Sequence, residues 1–236
     1  MPDSCSTKSG TTATSRPAND ASPTPPTPET PVEHHPLKPF LPEEAKVLML
    51  GSFPPPQKRW SIDFFYPNLQ NDMWRIFGLL FYNDKNAFVD VPKKRFKKQA
   101  LVDFLTKKGI AIYDTACAVR RLQGNASDKF LEIVAPTDIS ELLSHIPQCK
   151  AIVTTGQKAT DTLCRLFSTT APSIGNGCPV CLNGRNLTFF RMPSSSRAYP
   201  LSLERKAEFY KGMLETVGIL NDLSSKLPAH EKTRTL

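Results

Sequence analysis

Val47-Leu48-Met49-Leu50-Gly51-Ser52-Phe53-Pro54-Pro55 decides the fold. Four apolar residues in a row, closed by a glycine and a pair of prolines, read as a strand covered on both faces that delivers a rigid loop. Three further runs have the same nearly continuous character: Ile110 to Tyr113, Ala151 to Thr154 and Leu187 to Arg191. Helical periodicity lies between and after them. Arg95 to Lys108 carries apolar residues among lysines, and Thr160 to Phe167 gathers Leu163, Leu166 and Phe167 on one face. A last helix is predicted over Leu203 to Val217, with Ser202 as its N-cap, Gly218 just past its end, and Ala207, Tyr210, Leu214 and Val217 as its core stripe. Strands alternating with helices predict an α/β domain, a three-layer α/β/α arrangement with a central mainly parallel four-stranded sheet.

In such sheets ligands bind beyond the carboxyl ends of the strands. Those ends lead into Gly51-Ser52-Phe53-Pro54-Pro55, Asp114-Thr115-Ala116-Cys117, Thr155-Gly156-Gln157 and Met192-Pro193-Ser194-Ser195-Ser196-Arg197, so all four segments are expected on one rim. Directly after the first of them comes Asp63-Phe64-Phe65-Tyr66-Pro67-Asn68-Leu69-Gln70-Asn71-Asp72-Met73-Trp74. It offers flat rings and neutral amides that both donate and accept, an inventory suited to a nucleobase. The same composition also fits a surface loop whose aromatics plug the core.

The chain has 236 residues and a formal net charge of +8, which favours a polyanionic partner. Residues 1–36 are Ser, Thr, Pro, Ala and Asp with almost no large apolar side chain, the composition of a disordered tail. The folded domain is expected over 37–222, with a flexible C-terminal tail at 223–236. The N-terminal tail has neither the apolar core of a secretory signal nor the Arg-rich amphipathic pattern of a transit peptide, and no run approaches a membrane span. The six cysteines are scattered, as in a reducing intracellular compartment: the nucleus in a eukaryote, the cytoplasm otherwise. Cys178-Pro179-Val180-Cys181 is a single C-x-x-C beside glycines, which suggests a turn more than a zinc site. Of the four histidines, His34, His35, His145 and His230, two lie in the tail and one near the C-terminus, so histidine catalysis is not indicated.

The serines at 194–196 with free backbone N–H groups could cradle a phosphate whose charge Arg197 balances, although a Ser-rich loop before a helix is common. Arg120 and Arg121 follow the second strand end and could reach a backbone phosphate, while Lys93, Lys94, Arg95, Lys97 and Lys98 read as a solvated helix face. Gly156-Gln157-Lys158-Ala159 lacks the Walker spacing.

In their order, Gly51-Ser52-Phe53-Pro54-Pro55, Tyr66-Pro67 with Asn71-Asp72-Met73-Trp74, and Met192-Pro193-Ser194-Ser195-Ser196 resemble the uracil-DNA glycosylase superfamily. The mismatch-specific and hypoxanthine-DNA glycosylase branches look nearest, the latter also through Gly109-Ile110-Ala111-Ile112-Tyr113-Asp114. The resemblance runs from about Lys46 to Gly218. It implies the uracil-DNA glycosylase-like fold and a monofunctional hydrolase of N-glycosyl bonds in base-excision repair. Such an enzyme acts as a monomer on a flipped-out deaminated or mismatched base, uracil or hypoxanthine, in single- or double-stranded DNA, with no metal or cofactor. Many members place Asn or Asp where this chain has Phe53; the hypoxanthine branch is similar in lacking it and relies on the residue matching Asn71.

By that resemblance Asn71 positions the attacking water, with Asp72 as a competing candidate or a helix-terminal acid. Gly51, Ser52, Phe53, Phe65, Tyr66 and Asp114 would form the base pocket, with Phe64 a further candidate for stacking. Pro193, Ser194, Ser195, Ser196, Arg197 and Arg120 would hold DNA. Two other readings stay open: a catalytically inactive nucleic-acid-binding relative, and a hydrolase of free nucleosides, for which carboxylates and a metal would be wanted.

Overall fold

The computed structural model describes residues 30–122 and 130–220. A five-stranded sheet forms its centre, in the order β5-β2-β8-β10-β9: Ile110–Asp114, Val47–Gly51, Ala151–Thr155, Arg185–Met192 and Gly177–Leu182. The first four are parallel and correspond to the four apolar runs. β2, β5 and β8 are buried at every position, which is why their sequences run apolar without alternation. Helices flank the sheet, giving the expected α/β class: α1 (Met73–Tyr82), α2 (Lys98–Lys108), α3 (Ile139–Ser144), α4 (Gln157–Phe167) and α5 (Leu203–Thr216).

The sheet has one strand more than expected. β9 is antiparallel to β10 and forms the outer edge. The hairpin turns on Asn183 and Gly184, both with positive φ (50° and 78°), as a two-residue turn of this hand requires. β9 carries the C-x-x-C, so that segment is a strand and not a turn; Cys178 is half-buried while Cys181 is exposed. Residues three apart on a strand project to opposite faces, so the two thiols do not converge.

A second sheet sits beside the first, in the order β1-β6-β7: Val32–His34, Ala116–Arg121 and Leu131–Pro136, all antiparallel. β1 corrects the boundary at residue 36. Residues 30–36 fell in the expected tail, yet Val32–His34 pair with Arg120–Ala118, and the His35 N–H continues the ladder to the Cys117 carbonyl at 2.8 Å. Phe40 then bridges Ile112, covering the outer edge of β5. Residues 1–29 and 221–236, which hold most of both expected tails, lie outside the described residues.

The lysine-rich segment also differs from expectation. Its first residues form a small hairpin, β3 (Val89–Asp90) with β4 (Arg95–Phe96), and only Lys98 onward is helical. Phe96 is buried where a helix face was expected, so the hairpin inserts an aromatic into the core while its lysines stay outside. α5 follows the sequence closely: the Ser202 hydroxyl accepts from the Arg205 N–H, and Tyr210 and Leu214 are fully buried. Among the described residues no helix is long and apolar enough to cross a membrane.

Candidate active site

The strand register decides where the site lies. Gly51 pairs with Asp114 and Thr155 with Met192, so the four parallel strands end at one level. Above that level opens a cavity of about 830 Å³. Each of the four strand-end segments and the aromatic stretch contribute to its wall, among them Phe53, Phe65, Tyr66, Asn71, Asp114 and Arg197.

The aromatic stretch divides its rings between two tasks. Trp74 is fully buried, donates from Nε1 to the Phe65 carbonyl at 3.1 Å, and stacks with Phe64 at 6.1 Å between ring centroids. Phe64 is therefore a core residue and does not line the cavity. Phe53, Phe65 and Tyr66 do. Tyr66 sits at φ 47°, a backbone conformation that costs an aromatic residue about 1 kcal/mol or more. Its hydroxyl meets Thr155 Oγ1 at 3.0 Å and its ring packs edge-on against Trp74, so tertiary contacts hold the strained turn.

Asn71 lines the cavity as expected, but it also serves the backbone. Its Oδ1 accepts from the Met73 N–H at 2.9 Å, a side-chain turn that leads into α1. A carbonyl oxygen has a second lone pair, which leaves room for one more donor.

Asp72 is placed differently from the water-holding role. It is 5% exposed and does not line the cavity. Arg197 Nε donates to its Oδ1 at 2.9 Å and Lys206 Nζ to its Oδ2 at 3.1 Å. Lys206 is itself fully buried on α5 and donates also to the Ser196 carbonyl at 2.8 Å. The Asp72 N–H donates to the Ser195 carbonyl at 2.8 Å, and Arg197 N–H to the Gln70 carbonyl at 3.0 Å. Asp72 is thus a strut that ties the serine loop to α1 and α5, each of its oxygens bonded to a cationic donor.

The same bonds revise the phosphate cradle. The Ser196 N–H faces Ser194 Oγ at 3.3 Å and the Arg197 N–H is engaged, so this loop does not offer a run of free donors. Ser195 is buried, and Pro193 lies behind the cavity, its carbonyl accepting from Tyr210 at 3.0 Å. Burial pushes the Tyr210 hydroxyl well above its ordinary pKa and keeps it a neutral donor. Cationic charge collects in a neighbouring cleft of about 360 Å³ walled by Arg75, Lys85, Arg197 and Lys206 around Asp72. Burial first, and then the charge of Arg197, lower the Arg75 pKa.

Arg120 and Arg121 do not reach the cavity wall. Arg120 pairs with Glu132 at 3.6 Å on the second sheet. Arg121 has a side chain only 4% exposed, grips Glu33 at 3.0 Å and donates to the Pro54 carbonyl at 3.1 Å. It braces the Phe53 loop instead of meeting a ligand.

One residue escaped the sequence reading. His35 carries a side chain 2% exposed, and its Nε2 lies 2.9 Å from Asp114 Oδ2. Its ring packs 4.5 Å from Tyr113 and 5.3 Å from Phe53. Gly51 is what admits this pair: a Cβ there would collide with Asp114 Oδ1. Among the described residues no group of three or more His, Cys, Asp or Glu side chains is placed to hold a metal ion.

No family model matches the chain, and no curated protein sequence does. Among solved structures, an NMR structure of a protein from Methanosarcina acetivorans, provisionally assigned as a uracil DNA glycosylase, superposes with a TM-score of 0.49 at 22% identity. The superposition covers 77% of this chain and 98% of that one. The α/β assignment stands on the chain's own sheet.

Proposed function

We propose that the protein is a DNA glycosylase that hydrolyses the N-glycosidic bond of a deaminated base extruded from DNA. The observation that carries this reading is the cavity itself. It sits at the strand ends, carries the rings of Phe53, Phe65 and Tyr66 in its wall, and sets the neutral amide of Asn71 and the carboxylate of Asp114 in the same wall. Arg197 at its mouth and Arg75 and Lys85 next to it supply positive charge for the phosphates on either side of an extruded nucleotide.

In this reading a base enters between the rings. Asn71 holds a water through the free lone pair of Oδ1 and aims it at the anomeric carbon. An amide cannot take up the water's proton, so its contribution is positional. The glycosidic bond breaks with its electron pair leaving on the base nitrogen, the water oxygen bonds to the sugar, and the released proton passes to solvent. Bases that are stable as anions, such as uracil and hypoxanthine, suit this chemistry.

Oligonucleotides bearing a single uracil, hypoxanthine, xanthine or mismatched thymine, incubated with the full chain and then cleaved with alkali, test the proposal. Strand scission at one of these bases is the expected result. Tight binding of the same oligonucleotides with no scission would overturn the enzymatic reading and leave a binding module.

A further inference from the structure

We infer that His35 is a positioning residue that fixes Asp114 as an acceptor-only reader of the base, so the pocket selects bases whose edge presents an N–H. The inference rests on the glycosylase reading and names the chemistry by which that site chooses.

Asp114 ends β5 with a side chain 10% exposed, and the little that is exposed faces the cavity. Its two oxygens differ. Oδ2 is taken by His35 Nε2 at 2.9 Å, whereas Oδ1 has no hydrogen-bond partner among the described residues. Among the described residues the buried side-chain polar atom left without a partner is Thr115 Oγ1 and not this oxygen, so Oδ1 keeps contact with solvent in the cavity, and a base that displaces that solvent must supply a donor in its place.

His35 fixes which oxygen is which. Its Nδ1 lies 3.1 Å from the Leu37 N–H and 2.9 Å from the Leu37 carbonyl. A neutral ring accepts from that N–H and an imidazolium donates to that carbonyl, and in both states Nε2 carries the proton that Asp114 Oδ2 accepts. The ring is wedged against Tyr113 and Phe53, and its backbone is bonded to Cys117, so the donor cannot swing away. Burial raises the neighbouring Tyr113 hydroxyl pKa, which leaves that group neutral and adds no charge to the pair. Oδ1 is therefore held open towards the cavity as a pure acceptor. Uracil and hypoxanthine both carry a ring N–H on the edge that pairs in DNA; a ring nitrogen blocked by a methyl group has nothing to offer.

The test is equilibrium binding by the full chain, which needs no turnover. The probes are duplexes holding one non-hydrolysable 2′-fluoroarabino uridine, its N3-methyl counterpart, or no altered base. The wild type should prefer the uridine probe over undamaged duplex by about tenfold or more, the scale of one hydrogen bond to a charged group, and should lose that preference on the N3-methyl probe. His35→Gln keeps a donor at the position of Nε2 and should retain most of the preference. His35→Phe keeps the bulk without the donor and should abolish it while binding undamaged duplex as before.

Should His35→Phe fail to fold, Asp114→Asn serves in its place: His35 claims the amide oxygen, the amide N–H₂ turns to the cavity, and the preference should vanish. A His35→Phe or Asp114→Asn protein that discriminates like the wild type overturns the inference. So does a wild type indifferent to N3-methylation, or a Gln variant as impaired as the Phe one. A wild type that binds the uridine probe no better than undamaged duplex overturns the glycosylase reading, and the inference with it.

Discussion

Arg197 reaches Asp72 at 2.9 Å through Nε, the inner nitrogen of its guanidinium. The bond pins the base of a side chain that is 43% exposed, so the outer nitrogens stay available at the mouth of the cavity. Arg197 is a tethered cation, fixed at its root and open at its tip. Arg197→Ala should lower affinity for all DNA sequences alike and reduce the slope of log affinity against log salt by about one phosphate contact, measured by titration at several ionic strengths. A change in base preference with unchanged affinity would place Arg197 in the pocket instead.

Asp72 should prove a stability residue. Asp72→Asn leaves Lys206 buried with no counter-charge, and removing one partner of a buried pair costs about 3–5 kcal/mol. The urea midpoint should fall accordingly. Replacing both partners, Asp72→Leu with Lys206→Met, should recover much of the loss, because the uncompensated charge is gone.

Asn71 combines two roles that substitutions can separate. Asn71→Ala loses the acceptor for the Met73 N–H and should cost about 1 kcal/mol of stability, the net value of one hydrogen bond. Its excision rate should fall by about a hundredfold or more, roughly 3 kcal/mol of transition-state stabilisation. Single-turnover kinetics at saturating protein distinguishes this from the small loss of folded fraction.

Gly51→Ala drives a methyl group into Asp114 Oδ1. The carboxylate must move or the strand ends must part, at a cost of about 1–3 kcal/mol. Base-dependent binding should suffer more than binding to undamaged DNA. Gly212→Ala is the control: a Cβ there meets nothing within 4 Å, and inside α5 it should raise stability by about 0.5–1 kcal/mol.

Where the chain is shortened should matter sharply between residues 30 and 37. A protein beginning at Thr30 keeps β1, Glu33 and His35. One beginning at Leu37 deprives the buried Arg121 of its carboxylate and Asp114 of its donor. Thermal unfolding should show the first to be as stable as the full chain and the second markedly less so.

The sheet and its rim were legible because burial on both faces leaves only apolar residues to use, and β2, β5 and β8 carry that mark undiluted. β9 was not, because an edge strand alternates half-buried with exposed positions and this one contains cysteines and a proline. Asn183-Gly184 was the available signal for it. β1 is three residues long in a segment dominated by proline and threonine, and so short a run carries too little pattern to oppose its surroundings. His35 went with it. Asp72 presents a different difficulty: nothing local distinguishes a carboxylate that caps a helix or holds water from one claimed by a lysine 134 residues later.

That separation bears on the order in which the protein can be made. Synthesis proceeds from the N-terminus, and Asp72 leaves the ribosome long before Arg197 and Lys206. Until Arg197 and Lys206 follow, Asp72 lacks both of its ion-pair partners, and until α5 is made the Ser196 carbonyl lacks its donor. The cavity is therefore among the last features to be completed, however early the strands that floor it come together.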